Sequence, residues 1–246
     1  MTQVRKFLQE IIQHSKSSQQ QGLKTLAVFD LDSTLFDVLP RVQQILIEFA
    51  KDPAIQARFP EVSEILHGIQ VHRKDWGVQE ALHRAGLADH KDLGHVLRDY
   101  WQQRFFSNEY LEYDLPYDGA VSFVQELAAA GAQIAYLTGR DVARMGVGTS
   151  HILKKWGFPV HDKAVPALKP HKEMDDAFFK VEWFAAQPLQ QFSKVWFFEN
   201  EPLNIHMVRR AFPQIEMVFI ESTHSGRAPE PTDVPRILHF LMDDLK

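Results

Sequence analysis

Four short apolar runs constrain this chain more than any other feature: Leu26 to Phe29, Ala132 to Leu137, Lys194 to Phe198 and Ile215 to Ile220. Each is too short for a helix and bounded by polar or turn-forming residues, so each reads as a buried strand. Helical patterns separate the last three. Asp118 to Gly131 has an acid at the N-cap, Val121, Val124 and Leu127 on one face and a terminating glycine. A helix is expected from about 141 to 156, a weaker strand near Val165 and a helix from about 173. A further helix opens at Pro202 and closes before Pro213. Strand and helix in repetition imply an α/β fold, a three-layer, doubly wound (Rossmann-like) parallel sheet with helices on both faces.

The remainder of the chain is organised differently. Val4, Phe7, Leu8, Ile11 and Ile12 recur at helical spacing, and the run from Ser15 to Gly22 reads as a polar linker. Residues 38–106 hold no convincing strand but several helical patterns, such as Val42, Ile45, Leu46 and Phe49. The expected organisation is an N-terminal helix and linker at 1–22, a core built from 23–37 and 116–246, and an all-helical insertion at 38–115.

Composition excludes several function classes. A formal net charge of -5 and the absence of any long Lys/Arg cluster argue against a nucleic-acid partner. With no cysteine there are no disulfides, thiolate zinc sites or iron–sulfur clusters. The twelve histidines are scattered and form no His-Glu-x-x-His pattern. No apolar run is long enough to span a membrane, and the start of the chain lacks a signal-peptide core, so a cytoplasmic location is expected.

Chemistry-bearing residues gather where the strands end. In open α/β sheets that edge is where ligands bind. The first strand ends in Asp30-Leu-Asp-Ser-Thr34, two carboxylates that could converge on one small volume and would then need a cation. Asp30 suits a nucleophile and Asp32 a proton-transfer group, while Thr34 could bind substrate or cap the next helix. The second strand ends in Thr138-Gly139-Arg140: Thr138 could hold a phosphoryl oxygen or cap a helix, and Arg140 could contact substrate or pair with an acid. Lys180, within the apolar stretch Ala177 to Phe184, is the preferred fixed positive charge, with Lys169 as rival. The fourth motif, Glu199-Asn-Glu-Pro-Leu-Asn204, offers Glu199 and Asn200 as oxygen ligands for magnesium, alongside an Asp30 carboxylate oxygen and the Asp32 carbonyl.

Taken in order, Asp30-Leu-Asp-Ser-Thr34, Thr138, Lys180 and Glu199-Asn200 resemble the motifs of the haloacid dehalogenase-like hydrolase superfamily, over about 23–37 and 116–246. The segment between the first two motifs resembles its helical cap. The resemblance implies Asp30 as nucleophile, Asp32 as general acid/base, Thr138 and Lys180 as the phosphate-orienting pair, and Mg2+ as cofactor. Retention of the second aspartate implies phosphoryl transfer, not dehalogenation. The fourth motif departs from the family's usual aspartates, and Asn200 in its second place implies weaker magnesium binding. The expected activity is a magnesium-dependent phosphoric monoester hydrolase acting on a small soluble phosphorylated metabolite through an aspartyl-phosphate. A phosphomutase and a catalytically weakened phosphate-binding member are the alternatives. Arg58, Arg73, Lys74, Trp76 and Arg84 are the insertion's candidate substrate contacts. Oligomeric state is not legible.

Overall fold

The computed structural model of the chain describes residues 3–161, 164 and 166–242. The first helix, α1 (Gln3–Gln20), runs six residues past the expected break at Ser15. Leu8, Ile11, Ser15 and Ser18 are all buried on one face. The two serines are small enough to pack against the sheet, and their hydroxyls meet Thr25 and Ser193 at 3.3 Å each. What reads as a polar linker is therefore the continuation of a buried stripe.

Strand β1 (Lys24–Phe29) leads into a tight turn and the two-residue β2 (Phe36–Asp37). Then come helices α2 (Leu39–Lys51), α3 (Pro53–Arg58), α4 (Ser63–His67), α5 (Gln79–Arg84) and α6 (Lys91–Phe105). The chain returns through β3 (Leu115–Pro116), which pairs antiparallel with β2, so the helical segment leaves and re-enters the core side by side. This segment has its own apolar cluster, with Val42, Phe49, Leu82, Leu93 and Leu97 at its centre.

The core resumes with α7 (Ala120–Ala129), β4 (Ala132–Asp141), α8 (Val142–Trp156), β5 (Pro166–Lys169), α9 (Asp176–Ala185), β6 (Phe192–Glu199), α10 (Pro202–Ala211), β7 (Glu216–Ile220) and β8 (Arg236–Ile237). The six long-range strands form one parallel sheet in the order β5-β4-β1-β6-β7-β8. Val165 lies outside the described residues, and the strand expected there begins at Pro166. The helix expected from about 173 starts at Asp176, where Asp175 caps it by accepting from the Phe178 amide. No apolar run announces strand β8. Apolar clusters cover both faces of the sheet, one including Phe29, Phe123 and Phe198, the other Val28, Phe184 and Phe197. Strand β1 lies between β4 and β6, so its carboxyl end is the middle of the ligand-binding edge. No helix among the described residues is long and apolar enough to cross a membrane.

Candidate active site

The turn after β1 is set by its backbone. Ser33 adopts φ 59°, a left-handed conformation that costs a residue with a side chain some strain. Ser33 N donates to the Phe36 carbonyl and Phe36 N to that of Leu31, closing a compact loop. Ser222, just after β7, holds the loop from outside through the Ser33 carbonyl at 2.5 Å. Asp30 and Asp32 both line a cavity of about 180 Å³ between the sheet edge and the helical segment.

Asp30 sits in a three-membered charge cluster. Lys180 Nζ donates to Asp30 Oδ1 and to Glu199 Oε2, each at 2.6 Å, and all three side chains are buried. One ammonium thus faces two carboxylates. Burial pushes the Asp30 carboxyl up to about 8, against the pull of Lys180 and with the help of the Glu199 charge. Burial alone disfavours the ammonium, but the two carboxylates outweigh it and hold the Lys180 pKa above the ordinary lysine range. Lys169, the rival lysine, instead pairs with Asp176 at 2.7 Å and donates to the carbonyls of Lys172 and Met174.

Asp32 sits in a second cluster of different composition. Arg140 binds it through two nitrogens, Nε to Oδ2 at 3.1 Å and Nη2 to Oδ1 at 2.7 Å, and Arg41 Nη2 adds a bond to Oδ1 at 2.5 Å. Both guanidiniums also bind Asp114, Arg41 at 2.8 and 2.9 Å and Arg140 at 2.8 Å. Two arginines and two aspartates close a neutral quartet. Burial would raise the Asp32 pKa, but Arg140 and Arg41 overcome it and hold the carboxyl far below the usual range. Burial prevails at Asp114, whose pKa lies above the ordinary value despite the same two arginines. Arg140 reaches Asp32 because β4 breaks register with β5 between Thr138 and Asp141, a bulge that re-aims the intervening residues. The apolar pattern ends that strand at Leu137, whereas Thr138, Gly139 and Arg140 are part of it.

Glu199 is saturated. Its Oε1 accepts from the Asn200 and Glu201 amides at 2.9 Å each, and its Oε2 from Lys180 and from Asn204 Nδ2 at 3.0 Å. It anchors the lysine and the turn into α10. Asn200 Oδ1 accepts from the Thr34 hydroxyl at 3.1 Å, and its Nδ2 donates to the Thr223 carbonyl at 2.6 Å. Thr34 and Thr138 are fully buried, and neither lines the cavity. Thr138 Oγ1 accepts from the Arg140 amide at 3.3 Å. Gly139 does line it, and a Cβ there would come within 2.6 Å of the Asp176 carboxylate, so a larger residue requires that side chain to move.

The donor set suits a hard divalent cation held largely by water and a ligand's oxygens. Among the described residues no three acidic or histidine side chains are grouped to hold an ion. Magnesium, however, is usually bound through one or two carboxylates and neutral oxygens. Asp30 and Asn200 supply both kinds, and Asn204 Oδ1 is buried with no hydrogen-bond partner. Two carboxyls sharing one ammonium point the same way, because a cation could replace the proton that burial holds on Asp30.

Several contributors escape notice in the sequence. Arg41 and Asp114 are separated by 73 positions, and nothing local marks them as partners. The cavity is also lined by Trp101, Phe105, Phe106 and Arg227. Of the insertion's expected contacts, Trp76 lines the cavity, while Arg58 and Arg84 are engaged by Asp92 and Asp75 within the segment.

Comparison with known proteins agrees with this architecture. A structure named as a haloacid dehalogenase-like hydrolase, from Burkholderia xenovorans LB400, superposes with a TM-score of 0.50 at 16% identity, covering 89% of this chain and 94% of its own. A predicted phosphoglycolate phosphatase from Haemophilus somnus 129PT superposes with a TM-score of 0.50 at 16% identity, covering 88% and 95%. At such identity these likenesses concern the fold. No curated protein matches the sequence significantly. The family profile described as haloacid dehalogenase-like hydrolase matches residues 24–178. With that match over more than half its length, the chain belongs to the haloacid dehalogenase-like hydrolases.

Proposed function

We propose that the protein is a phosphoric monoester hydrolase for a small phosphorylated metabolite, with Asp30 as nucleophile. The observation that carries this reading is the position of Asp30: end of a central strand, cavity-lining, one oxygen fixed by a buried lysine. Fixing Oδ1 leaves Oδ2 to attack phosphorus in line with the leaving alcohol. The ester P–O bond breaks as the Asp30–phosphorus bond forms, and the alcohol oxygen takes its proton from Asp32. Water then attacks phosphorus and gives a proton back to Asp32, the aspartyl bond breaks, and Asp30 is regenerated with release of phosphate. Lys180 offsets the negative charge that gathers beside Asp30 and holds the carboxylate's orientation.

Asp30, Asn200 and the Asp32 carbonyl would hold magnesium. When bound, the ion neutralises phosphoryl oxygens and lowers the repulsion between phosphate and carboxylate. Asp32 is the proton carrier of the family resemblance. In the arrangement described it is a carboxylate gripped by two arginines, which weakens it as a base and leaves it no proton to donate. Its service as an acid therefore requires the quartet to loosen. The helical segment would act as the cap, closing over the cavity to exclude water.

The same grip favours a second reading, a catalytically weakened member that binds a phosphate ligand. A screen of phosphorylated metabolites with and without magnesium separates the two. Magnesium-dependent turnover that drops by at least about a thousandfold in Asp30→Asn supports the hydrolase. Turnover unchanged by that substitution removes Asp30 as nucleophile, and phosphate binding without turnover selects the second reading.

A further inference from the structure

The cavity has two unlike ends. Around Asp30 it is polar and charged, with Lys180, Asn200 and Asn204 among its walls. The opposite wall, from the helical segment, is carbon: Leu39, Val42, Trp76, Trp101, Phe105 and Phe106. Three of these rings pack on one another, Trp101 to Phe105 at 4.7 Å, Trp101 to Phe106 at 5.7 Å and Phe105 to Phe106 at 5.0 Å between centroids. Cations brace two of them. The Arg41 guanidinium lies 4.1 Å from the Phe105 centroid, and Arg144 lies 4.9 Å from that of Phe106. Arg41 is itself pinned by Asp32, Asp114 and the Phe105 carbonyl at 3.0 Å, so the wall is built before any ligand arrives.

Polar groups on this side are turned away from use. The Trp101 indole nitrogen is buried with no partner among the described residues and presents no donor to the cavity. Asp75 also lines the space, but Arg84 occupies both of its oxygens and the His72 amide shares one. Sugar hydroxyls pressed against these six side chains would lose their water hydrogen bonds without replacement from that wall.

The geometry points to a substrate whose alcohol portion is a small apolar group, most simply a single aromatic ring on a short stem, and not a polyhydroxylated sugar. A cavity of about 150 Å³ takes a benzene-sized guest, and the volume here is about 180 Å³. One ring accounts for most of that volume, with the phosphoryl group directed towards Asp30. This rests on the phosphatase reading for the phosphoryl end, while the preference for an apolar body stands on the wall alone.

Benzyl phosphate and glucose 6-phosphate make a matched test, because both are esters of primary alcohols and differ in the body. Binding is measured by calorimetry on full-length Asp30→Asn with magnesium, and turnover separately on the unaltered protein. Benzyl phosphate is expected to bind at least about tenfold tighter, since burying a ring against carbon is worth more than that factor. Trp76→Ala, at a half-exposed position, and Phe106→Ala should each weaken benzyl phosphate by about fivefold through lost contact area. Equal affinity for the two esters, tighter binding of the sugar phosphate, or no binding of either at millimolar concentration overturns the inference. Preferential binding of benzyl phosphate without hydrolysis of any ester by the unaltered protein leaves it standing and removes the phosphatase reading instead.

Discussion

Asp30 and Asp32 leave the same strand two residues apart, and the protein treats their charges in opposite ways. Asp30 shares a single ammonium with Glu199, a cluster with two carboxyls for one counter-charge, in which burial holds a proton on Asp30 until about pH 8, and it is open to the cavity. Asp32 shares two guanidiniums with Asp114, a quartet balanced to zero that ties the turn, the first helix of the insertion, its returning strand and β4 together. The contrast separates two uses of buried charge. A balanced quartet fixes geometry, since each member's partners constrain where it can sit and losing one would leave another unpaired. An unbalanced cluster is poised for a further cation or an incoming group, and perturbed carboxylates of that kind concentrate at functional sites.

The strongest way to break this contrast is to remove the lysine. Lys180→Met strands Asp30 and Glu199 side by side without a counter-charge, which should destabilise the protein by about 3–5 kcal/mol in urea unfolding. A loss below about 1 kcal/mol would mean the cluster is not charged as described. Asp114→Asn removes one anion from the quartet while keeping the shape, so about 2 kcal/mol is expected. That change should also loosen the arginines' grip on Asp32, seen by NMR titration as a rise of its carboxyl pKa that outweighs the loss of a neighbouring anion; a fall would show that Asp114 does not position the arginines.

Acid–base behaviour sharpens the comparison because the two aspartates pull in opposite directions. The native Asp30 carboxyl, pushed up to about 8 by burial, keeps a proton that the unfolded chain releases near pH 4. Between those values the native state binds more protons, so metal-free stability falls as pH rises. On the order of 1–2 kcal/mol should be lost between pH 6 and 8, and Asp30→Asn should flatten the slope. Asp32 works the other way: its contribution is present above about pH 4 and is lost on acidification below the ordinary aspartate range. Urea midpoints in chelator across pH 3 to 8 check both. A flat profile above pH 6 would show that burial does not hold a proton on Asp30.

The sequence made one of these clusters legible and only part of the other. Asp30 is visible because an apolar strand that stops at an acid delivers that acid to the ligand-binding edge, and Lys180 because an ammonium in an apolar helix needs a buried partner. The parallel sheet follows from the same runs. The quartet is half hidden: Arg140 reads as a contact for substrate or an acid, but Arg41 and Asp114 are joined to it and to Asp32 only by tertiary structure. Ser15 and Ser18 mislead for a related reason: their composition reads as linker, but their spacing from Leu8 and Ile11 continues a helix face. Strand β8, two residues long, has too little pattern to register. Glu199 reads as an acid free to bind metal, yet four donors from its own turn, Lys180 and Asn204 occupy it.

That last point gives the finest test, because it shifts weight to Asn200. Asn200→Asp places a second carboxylate beside Asp30, and a hard cation should bind about tenfold tighter, worth about 1.4 kcal/mol. The same change removes the amide that donates to the Thr223 carbonyl and sets an anion against that oxygen, so the metal-free variant should be less stable than the parent. The two effects have opposite signs and different dependence on magnesium. Melting curves over a magnesium titration should therefore start lower for the variant, rise further, and reach half their shift at about one-tenth the concentration. If the midpoint of the titration does not move, Asn200 is not a ligand. The neutral oxygen would then have to come from Asn204, whose buried Oδ1 has no other partner.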